Sequence, residues 1–110
     1  MKNAADKNYP PAPPIKVAIV EDQAWLRDNL AKEINSDPRL TCINSYRTAE
    51  AALRGIPNDL PDVVLMDINL PGMDGVECVK CLKVILPELR CLMLTVYEES
   101  EKIFNSLLAG

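Results

Sequence analysis

The sequence has no histidine, and its 110 residues include only four glycines, one tryptophan and one phenylalanine. Without histidine there is no Ser-His or Cys-His nucleophile, no imidazole general base and no histidine-liganded zinc. Any phosphohistidine chemistry would need a histidine supplied by a partner. The four glycines are scattered and no G-x-x-x-x-G-K stretch occurs, so a glycine-rich phosphate loop is excluded. No apolar run approaches the roughly 18 residues of a membrane-spanning helix. An excess of base is lacking too: twelve Lys and Arg stand against sixteen Asp and Glu, a net charge of −4. That argues against a free-standing nucleic-acid binder, because phosphate contacts need a basic face.

What is present is ordinary globular material, 48% hydrophobic and 25% charged, at a length suited to one compact domain. Residues 1–14, MKNAADKNYPPAPP, hold four of the nine prolines and no apolar core. They lack the h-region of a signal peptide and read as a disordered or extended lead-in to a folded domain over 15–110. Cys42, Cys78, Cys81 and Cys91 sit among apolar or helical neighbours. With nothing pointing to export, they read as reduced thiols of a cytoplasmic protein.

From Ile15 onward two apolar patterns alternate. Continuous runs from Ile15 to Val20, Asp62 to Met66 and Cys91 to Thr95 read as strands buried on both faces, and Leu40 to Tyr46 as a strand near an edge. Helical periods lie between them. Leu26, Leu30 and Ile34 mark a first helix with Trp25 packing near its start. Ala49, Ala52 and Leu53 mark a second, closed by Gly55 and Pro57. Val76, Val79, Leu82 and Ile85 or Leu86 mark a third, ended by Pro87. Ile103, Leu107 and Leu108 mark a fourth, with Gly110 placed as its cap. The repeated βα order and right-handed crossovers imply an α/β doubly wound open parallel sheet.

Ligands of such sheets bind beyond the carboxyl ends of the strands. Glu21 and Asp22 follow the first strand, Asp67 follows the third, and Thr95 closes the fourth, so three carboxylates and a hydroxyl converge on one rim. Taken singly, Asp22 reads better as a helix N-cap, Asp67 as a turn former and Thr95 as a cap, because such caps are common. Together, crowded carboxylates call for a raised pKa or a bound cation, and hard oxygen donors suit Mg²⁺ rather than zinc. Mutual repulsion is expected to raise at least one of these carboxyl pKa values.

The pair Glu21-Asp22, the stretch Met66-Asp67-Ile68-Asn69-Leu70-Pro71-Gly72-Met73-Asp74-Gly75 and the closing Leu94-Thr95 resemble the receiver domain of bacterial two-component response regulators. Val96-Tyr97-Glu98-Glu99 resembles the NarL/FixJ (LuxR-type) transcriptional regulators most. The resemblance implies a flavodoxin-like fold, here without the family's fifth strand, its lysine and its fifth helix. It implies Asp67 as phosphoacceptor for a sensor histidine kinase or phosphotransfer protein, with self-catalysed transfer and autodephosphorylation. Asp22, Asp67 and the Asn69 carbonyl would ligate Mg²⁺, with Glu21 helping through water. Thr95 would bind a phosphoryl oxygen, and Pro71, Gly72 and Gly75 would shape the loop. Phosphorylation would switch partner or dimer contacts and regulate transcription in a longer parent, with DNA bound only through an output domain outside this chain. The alternative from the residues is a non-phosphorylated receiver-like interaction module.

Cys78-x-x-Cys81 lies inside the third helix pattern and not at a helix N-terminus after a strand, which disfavours redox chemistry. Glu98, Glu99 and Glu101 read as a solvated helix start. Without a fifth strand and helix, the fourth strand is expected to form a bare edge. Alternate residues of Ile15 to Val20 and Val63 to Met66 are then expected to face water and promote association, including homodimer formation.

Overall fold

A computed structural model describes residues 12–94. Strands β1 (Ile15–Val20), β2 (Leu40–Tyr46), β3 (Val63–Asp67) and β4 (Arg90–Leu94) alternate with helices α1 (Ala24–Asn35), α2 (Ala49–Asp59) and α3 (Gly75–Ile85). All pairings are parallel and the order across the sheet is β2-β1-β3-β4, the flavodoxin-like receiver arrangement. The chain winds to one side of β1 and then to the other, so the topological switch point falls between β1 and β3. Among the described residues β2 and β4 are the edges. Thr95, the fourth helix pattern, the glutamate run from Glu98 to Glu101 and Gly110 lie outside the described residues.

The strands are where the apolar runs place them, except that β4 begins one residue earlier, at Arg90, and β3 one residue later. Asp62 precedes β3, where its carboxylate accepts the Lys16 amide at 2.8 Å, while Asp67 stays in the ladder opposite Leu94. Asp67 therefore sits at the carboxyl end of a strand and not in the loop beyond it. Two clusters fill the faces of the sheet. Val20, Val64 and Met66 pack beneath α2 and α3 with Ala52, Ile56 and Leu82, and Val17 and Ile19 pack with Ile34 of α1.

Four expectations need correction. Gly55 and Pro57 do not close α2, which runs on to Asp59, because Ala49, Ala52 and Ile56 are all 0% exposed and packing carries the helix through. The core face of α3 is Gly75, Cys78 and Leu82, whereas Val76 and Ile85 are exposed; apolar residues on every side of this helix hide its buried face. Trp25 is not packed but 64% exposed. Alternate residues of β1 do not face water either, since Val17 and Ile19 are buried; Val63 and Leu65 of β3 are half-buried, and the exposed apolar strand residues are Ile15 at the start of β1 and Leu92 and Met93 on β4. No helix among the described residues is long and apolar enough to cross a membrane.

Candidate functional site

The carboxyl ends of β1 and β3 flank the switch point, where open α/β sheets bind their ligands. Beyond Val20 the chain stays tied to the sheet through the Glu21 amide, which donates to the Tyr46 carbonyl at 2.9 Å. Glu21 is buried, Asp22 is exposed, and Asp67 at the end of β3 is buried. One carboxylate oxygen from each of the three lies within 4.8 Å of the others, a group able to hold a cation.

The Glu21 carboxylate accepts the Gln23 amide at 3.0 Å with Oε2, and its buried Oε1 has no hydrogen-bond partner. Such an oxygen is costly to bury. The Glu21 pKa is accordingly pushed up to about 7. Burial is the main cause, and Asp22 and Asp67 add to it against the Gln23 N–H. Repulsion was the expected cause; desolvation comes first. The Arg27 guanidinium braces this corner by donating to the Glu21 carbonyl at 2.8 Å and, at 3.5 Å, to the Asp22 carbonyl.

Asp22 is not a helix cap, since the N-cap of α1 is Gln23, without a side-chain bond. Its carboxylate is thereby left for the cluster. Asp67 Oδ1 accepts the Asn69 amide at 3.0 Å, so the turn-forming role and the cluster role coexist in one residue. The loop then folds back: Ile68 N–H donates to the Leu94 carbonyl and Gly75 N–H to the Ile68 carbonyl, both at 3.1 Å. Gly72 takes a φ of 76°, a left-handed conformation open to glycine at little cost. Gly75 starts α3 tight against the Asp67 carbonyl, with no room for a side chain. Asp74 caps that helix by accepting the Glu77 amide at 2.9 Å. Pro71 is exposed at the bend, and Asn69 is exposed beside Asp67.

Two residues near the rim escaped the sequence reading. Arg27 acts on backbone carbonyls, which leave no trace in the sequence. Glu50, in the first turn of α2, accepts the Met73 amide of the loop at 3.3 Å; an acid just beyond the end of β2 was the available signal. Cys78 is buried in α3 and Cys81 is exposed. Burial is the main force raising the Cys78 thiol to about 12, which suits a core side chain and not a redox nucleophile.

A parallel α/β sheet with paired acids after β1 and a third at the end of β3 defines the class: receiver-type signalling domains. The response regulator receiver domain family matches residues 17–110, and the chain belongs to it. It is 33% identical to the DNA-binding transcriptional activator DevR/DosR of Mycobacterium tuberculosis over 96 residues, 87% of this chain and 44% of that protein. It is 35% identical to sporulation initiation phosphotransferase F of Bacillus subtilis, covering 83% of this chain and 72% of that protein. The response regulator domain of Thermotoga maritima CheB superposes with a TM-score of 0.72 at 26% identity, over 89% of this chain and 74% of that one. The relatives include the transcriptional regulatory protein LnrK of Bacillus subtilis and the response regulator protein VraR of Staphylococcus saprophyticus, and the likeness to NarL/LuxR-type regulators holds. The chain spans less than half the length of these regulators, 44% and 46% respectively.

Proposed function

We propose that Asp67 is the phosphoacceptor of this receiver domain, that Glu21 and Asp22 hold Mg²⁺ beside it, and that a sensor histidine kinase or phosphotransfer protein is the donor. The supporting observation is twofold: Glu21 carries a buried oxygen without a partner, and its carboxylate offers an oxygen within 4.8 Å of oxygens from Asp22 and Asp67. A hard, all-oxygen donor set containing an unsatisfied buried oxygen fits Mg²⁺. The ion, when bound, would neutralise charge developing on the transferred phosphoryl group. Asp22 and Asp67 would be direct ligands together with the Asn69 carbonyl, and Glu21 would act through water.

In the transfer, an Asp67 carboxylate oxygen forms the new bond to phosphorus as the P–N bond to the donor imidazole breaks. The leaving electron pair stays on the imidazole nitrogen. The bond from the Asn69 amide fixes the Asp67 carboxylate for attack, and Thr95 is placed by sequence to receive a phosphoryl oxygen. Phosphorylation would alter the surfaces offered to partners or to a second copy, and through them transcription in a longer parent. A cytoplasmic location is part of this reading.

Beryllofluoride, a phosphoryl mimic, tests the site without a kinase. Fluorine NMR should show Mg²⁺-dependent binding by the native protein and none by Asp67→Asn. Equal binding by both proteins would refute Asp67 as acceptor.

A further inference from the structure

We propose that Glu50 is a positioning residue for the phosphoacceptor site, tying the loop after β3 to the first turn of α2; this rests on the reading of Asp67 given above. Thr48 caps α2 by accepting the Ala51 amide at 3.0 Å, which fixes the turn that carries Glu50. From there Glu50 Oε2 accepts the Met73 amide at 3.3 Å, across 23 positions of sequence. The carboxylate also lies over Gly72, where a Cβ would stand 3.1 Å from Oε2. The left-handed glycine thus exposes its backbone beneath the carboxylate, and the next amide points at it.

Among the described residues, every other hydrogen bond of the 68–74 loop runs to Asp67, to the first turn of α3 or to the β4 backbone. Glu50 is the side chain from a separate helix that holds it. Glu50 is not in the cation-binding group formed by Glu21, Asp22 and Asp67, so it acts on the reacting carboxylate only through the loop. A carboxylate suits the position twice over: it favours the positive end of α2, and its bond to an amide is charge-assisted.

The test compares Glu50→Ala and Glu50→Gln with the native protein. Glutamine keeps an acceptor oxygen; alanine removes it. Amide exchange at Met73 reads the tie directly, and calorimetric Mg²⁺ titration reads the site. Glu50→Ala should lose Met73 protection and weaken Mg²⁺ binding about ten-fold, the scale for groups supporting a ligand. Glu50→Gln should keep most of both, with similar thermal midpoints in the two variants. Unchanged Met73 exchange or unchanged Mg²⁺ affinity in Glu50→Ala overturns the inference alone. Equal loss of affinity in both variants, tracking lost stability, overturns it as well. A native protein that binds no Mg²⁺ overturns the functional reading and this inference together.

Discussion

Gly75 opens α3 beside the carbonyl oxygen of Asp67, which leaves no room for a Cβ. The helix start and the candidate phosphoacceptor are therefore one packing unit. In an unobstructed helix, Gly→Ala gains up to about 1 kcal/mol. Here the obstacle is backbone and cannot rotate aside, so Gly75→Ala should cost about 1–3 kcal/mol, the range for overpacking. Urea unfolding measures it, and a more stable variant would contradict the packing.

A second prediction concerns pH. The Glu21 pKa rises from 4.5 to about 7 in the folded protein, chiefly through burial. A raised acid favours the folded state fully below its unfolded pKa. That contribution is lost as pH climbs through the interval from 4.5 to about 7 and is gone above it. In chelator, the native protein should therefore lose stability relative to Glu21→Gln across this window, as thermal melts at successive pH values would show. A constant difference between the two proteins would contradict it. If Mg²⁺ is held by the ionised group, as proposed, adding it should raise the melting temperature most at neutral pH.

The placement of Glu21, Asp22 and Asp67 was legible because each ends a continuous apolar run, and strands buried on both faces produce such runs. The burial of Glu21 was not legible: side by side in sequence, nothing distinguishes the enclosed acid from exposed Asp22. The face of α3 was hidden for a related reason, since Val76, Val84 and Ile85 are apolar yet exposed. Gly55 misled because its missing side chain makes room for the Tyr46 ring and does not end a helix. Glu50 was hidden because it lies inside the first turn of α2 and not directly at the end of β2, where it reads as an ordinary helix-start acid.

Leu60 supplies a third prediction. It terminates α2 at φ 49°, ψ 58°, the left-handed region, and is 54% exposed. A branched side chain there costs roughly 1–2 kcal/mol in backbone strain. Leu60→Gly relieves that strain but loosens the unfolded chain and gives up some apolar contact. The net should be a gain of about 0.5–1 kcal/mol, as for a helix cap restored to glycine. Loss of stability in chemical denaturation would show that contacts of the Leu60 side chain outweigh the strain.

Mass-spectrometric mapping after exposure to a small phosphodonor tests most directly whether this rim is a Mg²⁺-dependent phosphoacceptor. The account predicts one phosphoryl group per chain, located on Asp67, formed with Mg²⁺ and absent in chelator or in Asp67→Asn. A phosphoryl group on another residue, or no modification of the native protein in Mg²⁺, would contradict it.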